Sequence, residues 1–161
     1  MKKNNITIRD FVDKDLLEVG QVYAKAFNGA IVDENWEPGD ASKLLSCMNS
    51  HKPNIFLVAL DEDKVIAGFF SAIKPYFGEN HLCDTDLFVD PEYQNSGIGK
   101  KLFVEMLNRG IKDYQVSGFQ GISYSKNEFP GSWYSKIGFE PTGWVHRYGK
   151  AELMLEKLNK S

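Results

Sequence analysis

The stretch that decides the fold is Leu87–Lys101, which reads Leu-Phe-Val-Asp-Pro-Glu-Tyr-Gln-Asn-Ser-Gly-Ile-Gly-Lys-Lys. The alternation of Asp84, Asp86 and Phe88 with Cys83, Thr85, Leu87 and Val89 has a period of two, and this pattern predicts a β-strand. Pro91 has no N–H group to donate to a neighbouring strand, so we expect the strand to end near Asp90.

An amphipathic helix is predicted after this strand, because apolar residues with helical spacing face charged residues on the opposite side. The apolar set is Ile98, Leu102, Phe103, Met106, Leu107 and Ile111, and the charged set is Lys100, Lys101, Glu105 and Lys112. Between strand and helix, Gly97 and Gly99 let the backbone turn tightly and approach a ligand closely. Helix N-termini favour anions, so the strand, the glycine loop and the helix together predict a phosphate-binding loop.

Two common phosphate-binding patterns do not fit this loop. The Walker pattern requires glycine at position 94 and Ser or Thr at position 101, where this chain has Gln94 and Lys101. The dinucleotide fingerprint requires a third small residue at position 102, where this chain has Leu102. A nucleotide-binding domain is therefore disfavoured.

The pattern that fits Gln94–Gly99 is Gln/Arg-x-x-Gly-x-Gly/Ala. In this loop the chain resembles the GCN5-related N-acetyltransferase (GNAT) family, in which a loop of this form binds the pyrophosphate of acetyl-CoA. The stretch Asn127–Phe139 is similar to the closing motif of that family. Its matching residues are Asn127, Tyr134, Gly138 and Phe139. Pro130 departs from the motif and predicts a late helix start, near Ser132.

The remaining elements agree in order with the fold that this resemblance implies. That fold is the acyl-CoA N-acyltransferase fold of the α/β (α+β) class, with a mixed, mostly antiparallel sheet and helices on both faces. Strands are predicted at Ile6–Asp10, Ile55–Leu60, Val65–Ile73, Val116–Ser123, Glu140–Trp144 and Ala151–Leu158, the last with a helical alternative. Helices are predicted at Leu16–Phe27, from about Asp40 to Asn49, and at Ser132–Lys136, with a loop at Pro75–Asn80.

Length and composition narrow the class of protein. A chain of 161 residues is expected to form a single domain over residues 1–161. The net charge of −3 gives no general attraction to nucleic acid, and no apolar run is long enough to span a membrane. Cys47 and Cys83 lack metal-ligand spacing, so we expect no metal, two reduced thiols and a cytoplasmic location.

The resemblance implies direct attack of an amine on the acetyl thioester, which needs a neutral amine, a polarised carbonyl and a proton for the departing thiolate. Tyr134 occupies the position of the proton donor, although it could be only a core aromatic residue. Asp86, which the strand pattern places on the same face as Asp84, is the candidate base, although both could only hold a cation or face solvent. The implied acetyl-CoA contacts are Leu87, Phe88, Val89, Gln94, Asn95, Ser96, Gly97, Ile98, Gly99, Lys100 and Asn127.

The acceptor is expected to be a small-molecule amine. Four acidic residues surround Trp36, namely Asp33, Glu34, Glu37 and Asp40, and they suit a small cation through charge and cation–π attraction. Two alternatives remain open, a non-catalytic module that binds acyl-CoA as a sensor and an acetyltransferase that acts on protein amino groups. The family resemblance also implies a possible homodimer.

Overall fold

A computed structural model of the chain describes residues 6–29, 34–122, 128–143 and 150–159. The chain divides after Gly121 into two compact units. The first unit contains the strands β1 (Ile6–Asp10), β2 (Asn54–Asp61), β3 (Lys64–Tyr76), β4 (Glu79–Val89) and β5 (Val116–Phe119). Its helices are α1 (Leu16–Phe27), α2 (Pro38–Ser50) and α3 (Ile98–Tyr114), and the second unit contains α4 (Glu128–Lys136) and α5 (Ala151–Asn159).

The five strands form one sheet in the order β1-β2-β3-β4-β5. Neighbours from β1 to β4 pair antiparallel, and β5 pairs parallel to β4. Phe70 on β3 packs in the core with α1 and α2, whereas the ring centre of Phe69 lies 5.3 Å from that of Phe103 on α3. Because successive strand residues point to opposite faces, the helices cover both sides of the sheet. The predicted mixed, mostly antiparallel sheet with helices on both faces is confirmed.

A β-bulge interrupts β4 at Asp84, where the sequence pattern predicted regular alternation. Cys83 pairs with Ala72 and Asp86 pairs with Phe70, so two residues of β4 lie opposite the single residue Ser71. Asp84 has a left-handed backbone, with φ of 49°. The extra residue changes which side chains share a face beyond this point.

The connection between β3 and β4 is a two-residue turn and not the predicted loop over Pro75–Asn80. Phe77 and Gly78 both have positive φ values, of 50° and 88°, as tight hairpins with the right-handed twist of β-strands require. Pro75 pairs with Asn80, so β3 continues past its predicted end at Ile73 and reaches Tyr76.

In the second unit, α4 begins at Glu128 and includes Pro130, so the predicted late start at Ser132 is wrong. Proline is tolerated in the first helical turn, where its missing N–H group has no intrahelical partner to lose. The helix ends at Lys136, and Gly138 follows two residues later with a φ of 100° that favours glycine. Asn127 and Trp144 lie outside the described residues, so the predicted strand Glu140–Trp144 is only partly covered, and Glu140–Gly143 form no strand.

The predicted strand at Ala151–Leu158 is wrong, and its helical alternative is correct, because this segment forms α5. Met154 and Leu158 are spaced by four residues, which matches a helical face. Three smaller differences concern boundaries, since α2 begins at Pro38, β5 ends at Phe119 and β4 begins as early as Glu79. No helix in the described ranges has the length and apolar character needed to cross a bilayer.

Candidate active site

The outer edge of β4 is open where the sequence predicted a binding strand. β5 pairs with β4 only at Asn80–Leu82, and no other strand among the described residues pairs with β4 on that side. On the opposite side, the Asp90 N–H group donates to the Ile66 carbonyl at 2.9 Å. Because hydrogen-bonding direction alternates along a strand, the N–H and C=O groups of Leu87 and Val89 point away from β3.

Phe88 differs from its two neighbours on β4. By the same alternation its backbone groups face β3, where it pairs with Gly68. Its ring is 2% exposed and lies over Gly68, where a Cβ atom would come within 2.4 Å of the ring. Of the three predicted backbone contacts, Leu87 and Val89 therefore have no strand partner on this side among the described residues, and Phe88 forms part of the sheet and core.

The glycine loop follows a short turn at Pro91–Tyr93, which the Asp90 carboxylate caps by accepting the Glu92 N–H group at 3.1 Å. Gly97 has φ of 83°, and a Cβ atom there would meet nothing within 4 Å, so the space beside it is open. In the described part of the chain, no side chain caps the N-terminus of α3. The first N–H groups of a helix have no intrahelical partner, so this end of α3 can bind an anion.

The structure brings this loop against the open edge of β4. The Gln94 side-chain amide donates to the Val89 carbonyl at 3.1 Å. A Cβ atom at Gly99 would lie 3.8 Å from Leu87 Cδ2 and 3.9 Å from Val89 Cγ2, which is ordinary contact distance. Leu87 and Val89 together with Gln94–Gly99 thus form one continuous surface, which we call the open edge.

The other predicted loop residues take different positions around the open edge. Asn95 has a left-handed backbone with φ of 59°, and the Ser96 hydroxyl donates to the Tyr93 carbonyl. Ile98 is 3% exposed and anchors the start of α3 in the core. Lys100 is exposed on the first turn of α3.

A second surface lies on the face of β4 that packs against α1. Asp86 is partly buried there, and its Oδ2 atom accepts a hydrogen bond from the Tyr23 hydroxyl at 3.2 Å. The ring of Trp36 meets the ring of Tyr23 edge-on at 5.3 Å, and the indole N–H group donates to the Glu34 carboxylate. We call Tyr23, Glu34, Trp36 and Asp86 the carboxylate face.

The segment that carries Glu34 and Trp36 is tied to the end of α1. The Asn28 amide donates to the Trp36 carbonyl at 2.8 Å, and its oxygen accepts the Trp36 N–H group at 2.6 Å. The Glu34 N–H group donates to the Phe27 carbonyl at 3.0 Å. These bonds hold one part of the predicted acidic segment beside Asp86.

The electrostatics of the carboxylate face suit a base. Burial raises the pKa of Asp86 to about 6, the charges of Glu34 and Asp84 add to the rise, and the hydrogen bond from Tyr23 opposes it. A carboxylate with a pKa near 6 is a far better proton acceptor at neutral pH than an ordinary aspartate. Burial and the Asp86 charge raise the pKa of Tyr23, so Tyr23 keeps its proton and acts as a donor.

The expectation that Asp84 and Asp86 share an environment is wrong, and the β-bulge is the reason. Asp84 is 60% exposed and forms an ion pair with Lys74. Other parts of the acidic segment also lie apart from the cluster. Glu37 precedes α2 and is exposed, Asp40 pairs with Lys43 on the surface, and Asp33 lies outside the described residues.

Sequence reasoning missed Tyr23 and Asp90. Tyr23 lies within the predicted helix Leu16–Phe27 and was given no functional role, yet a buried tyrosine hydroxyl requires a partner, and this was the available signal. Asp90 is 1% exposed and pairs with Lys25 of α1 at 3.2 Å. Its signal was an acidic residue directly before Pro91, a typical cap for a short turn.

Tyr134 lies on α4 in the second unit. It is partly buried, and its ring centre lies 5.4 Å from that of Trp133 and 5.1 Å from that of Phe139. The Phe139 N–H group donates to the Tyr134 carbonyl at 3.0 Å, so the closing motif forms a helix end. No group of three or more His, Cys, Asp or Glu side chains suited to a metal occurs in the described part of the chain.

Comparison with curated proteins gives no significant sequence match. Among solved structures, a possible acetyltransferase from Clostridium difficile 630 superposes with a TM-score of 0.74 at 19% identity, covering 90% of this chain and 97% of its own. A transcriptional regulator from Bacillus halodurans C-125 gives a TM-score of 0.73 at 17% identity, covering 91% and 100%. An aminoglycoside 6′-N-acetyltransferase from Acinetobacter haemolyticus gives 0.69 at 15%, covering 89% and 97%.

These structural superpositions establish a shared fold, the acyl-CoA N-acyltransferase fold. The family comparison goes further, because the acetyltransferase (GNAT) domain matches residues 52–141, which is more than half of the chain and includes the whole open edge. The chain belongs to the GNAT acetyltransferase family.

Proposed function

We propose that this chain is an acetyl-CoA-dependent N-acetyltransferase that transfers an acetyl group to the primary amine of a small cationic molecule. The observation that carries the proposal is the open edge. Among the described residues, a strand edge with no partner strand continues there into a glycine loop at a helix N-terminus that has no side-chain cap. This surface offers hydrogen bonds for an extended amide chain and N–H groups for a diphosphate, which are the two recognition elements of a CoA arm.

In this proposal, the backbone groups of Leu87 and Val89 bind the pantetheine arm as an additional strand would, and they polarise the thioester carbonyl. Gln94–Gly99 and the first turn of α3 bind the pyrophosphate, and Lys100 adds positive charge nearby. Asn127 completes the set by its place in the closing motif.

Asp86 is the proposed base. It accepts a proton from the ammonium group of the acceptor, and the neutral amine then attacks the thioester carbonyl carbon. The new C–N bond forms, the nitrogen loses its second proton to solvent, the C–S bond breaks, and the CoA sulfur leaves as a thiolate. Only a neutral amine has the lone pair that this attack requires, so the raised pKa of Asp86 supports this role.

Tyr134 is the proposed acid that returns a proton to the thiolate, on the strength of its position in the closing motif. Tyr134→Phe keeps the ring and removes the hydroxyl, so we expect kcat to fall about 10²-fold with acetyl-CoA affinity unchanged. Full kcat in a folded Tyr134→Phe variant, together with loss of stability in Tyr134→Ala, would show that the tyrosine only supports the core.

The acceptor is proposed to be cationic because Glu34 and Asp86 are the charged groups of the carboxylate face and Trp36 supplies an aromatic wall. A cation gains from both charge and aromatic contact at such a surface. One structural neighbour is an aminoglycoside N-acetyltransferase, whose name indicates a small amine acceptor.

The test is release of free CoA thiol from acetyl-CoA over a panel of polyamines, aminoglycosides, amino acids and peptide amino termini. We expect turnover with one or more small cationic amines. Acetyl-CoA binding by calorimetry without thiol release for any amine would favour the alternative of a non-catalytic sensor, which has one supporting observation in the neighbour named as a transcriptional regulator. Turnover only with peptide amino termini would favour a protein acetyltransferase.

A further inference from the structure

Tyr23 is the residue outside the predicted site that has the most direct contact with it. Its side chain is 3% exposed, and its hydroxyl donates to Asp86 Oδ2 at 3.2 Å across 63 positions of sequence. Among the residues that the structure describes, this is the hydrogen bond that Asp86 receives, and no Lys, Arg or His forms an ion pair with it.

Aromatic contacts fix the position of that hydroxyl from three sides. The ring of Tyr23 lies 4.4 Å from Phe27, 5.3 Å from Trp36 and 5.1 Å from Phe88, measured between ring centres. These partners belong to α1, to the segment before α2 and to β4. A buried ring with contacts on three sides has little freedom to move its hydroxyl away from Asp86.

We propose that Tyr23 is a positioning residue that holds one oxygen of Asp86 and leaves the other oxygen to accept the proton of the incoming amine. This inference rests on the proposed function, because it assigns Asp86 as the base. Tyr23 itself takes no proton and loses none, since its raised pKa keeps it protonated throughout. The proton moves from the ammonium nitrogen to the free Asp86 oxygen, and Tyr23 stabilises the carboxylate before that transfer.

Three groups act on the protonation of Asp86 in the described structure. Tyr23 of α1 favours the ionised form, whereas Glu34 beside α1 and Asp84 on β4 disfavour it through their negative charge. Loss of the Tyr23 hydroxyl removes the favourable influence and keeps the two unfavourable ones. The pKa of Asp86 should therefore rise in Tyr23→Phe, by about one pH unit.

The experiment compares wild type with Tyr23→Phe and with the matched control Tyr93→Phe. Tyr93 also donates its hydroxyl to a carboxylate, the Oδ2 atom of Asp61 at 3.0 Å, but outside the carboxylate face. The first readout is the carboxyl ¹³C NMR titration of Asp86, assigned with Asp86→Asn, which requires no turnover. The second is the pH profile of kcat/KM for the best amine of the panel.

The expected result is a rise of about one pH unit in the NMR pKa of Asp86 and in the ascending limb of the profile, in Tyr23→Phe but not in Tyr93→Phe. An unchanged NMR pKa in folded Tyr23→Phe would overturn the positioning role. A shifted NMR pKa with an unmoved ascending limb would overturn Asp86 as the base, and with it the catalytic role of Tyr23. Absence of turnover in wild type would overturn the proposed function. The NMR titration would still show whether the Tyr23 hydroxyl changes the pKa of Asp86.

Discussion

The strand β4 carries two surfaces that are built in different ways. The open edge consists mainly of backbone groups of Leu87, Val89 and Gln94–Gly99, which lie close together in sequence, and it requires glycine at a left-handed position. The carboxylate face consists of side chains that α1, the segment before α2 and β4 bring together. A backbone site depends on local conformation, whereas a side-chain site depends on tertiary packing. Changes at the two surfaces should therefore separate acetyl-CoA binding from acceptor chemistry.

The largest expected effect is on the carboxylate face. Asp86→Asn removes the proposed base, so we expect kcat to fall about 10³-fold, within the range for general base catalysis, while acetyl-CoA affinity stays unchanged. Initial rates of thiol release and calorimetry measure the two quantities. The matched control is Asp84→Asn, two residues away but exposed and paired with Lys74, and its kcat should stay within about twofold of wild type. Equal losses in both variants would contradict the distinction between the two carboxylates.

The same variant should show a pH-dependent gain in stability. The pKa of Asp86 is about 6 in the folded chain against about 3.9 when unfolded, so the folded state binds the proton more tightly. The contribution of this carboxyl group to the free energy of unfolding is largest below pH 4. It is lost as the pH rises from about 4 to 6, and it does not change further above pH 6. The full difference is on the order of 2 to 3 kcal/mol.

Asparagine does not titrate, so the stability of Asp86→Asn relative to that of wild type should increase between pH 4 and pH 8. For a chain of this size the relative gain in Tm is roughly 5 to 10 °C. Thermal unfolding of both proteins at the two pH values gives the comparison. A constant difference in Tm across this range would mean that Asp86 has an ordinary pKa. The raised pKa would then no longer support Asp86 as a base.

The two surfaces also differ in how far the sequence could predict them. The open edge was predictable because Gln94–Gly99 is a local pattern, and the strand before it and the helix after it follow from periodicity. The direction of the Leu87 and Val89 backbone groups was not predictable, and neither was the finding that the Phe88 backbone groups face β3 instead of the open edge. Both depend on the register of β4 with β3.

The carboxylate face was only partly predictable. Asp86 and Trp36 were named as candidates, but Tyr23 was hidden among the apolar residues of α1. The bulge at Asp84 separated two carboxylates that regular alternation had placed together, and a single extra residue in a strand leaves no strong signature in sequence. The strand predicted at Ala151–Leu158 failed for a simpler reason, since a short apolar segment is ambiguous by periodicity alone.

The next effect concerns the open edge. Gly97→Val places a β-branched side chain at φ of 83° and into space that is open beside the loop. We expect acetyl-CoA affinity to fall about 30-fold, because loss of one hydrogen bond to a charged phosphate has that size. The kcat at saturating acetyl-CoA should change little.

Gly78→Val is the matched control, since Gly78 has a similar φ of 88° and open surroundings, but lies in the β3–β4 turn. It should carry a comparable backbone strain, of order 1 to 3 kcal/mol, and leave acetyl-CoA affinity unchanged. Calorimetry on both folded variants provides the measurement. A matching loss of affinity in Gly78→Val would show that strain and not ligand contact explains the result at Gly97.

The smallest expected effect is on the acceptor KM, and it should distinguish two residues of the acidic segment, Glu34 and Glu37. Glu34 accepts a hydrogen bond from Trp36 and its charge acts on Asp86, whereas Glu37 is exposed before α2 and is not among the groups that shift the pKa of Asp86. Glu34→Gln should raise the acceptor KM about fivefold at low salt, and Glu37→Gln should raise it less than twofold. The effect at Glu34 should shrink in high salt, because screening weakens attraction between partly exposed charges.

Since the charge of Glu34 also raises the pKa of Asp86, the ascending limb of the pH profile should move slightly to lower pH in Glu34→Gln. Equal KM changes in the two variants would mean that the acceptor responds to the overall charge of the segment and not to the carboxylate face.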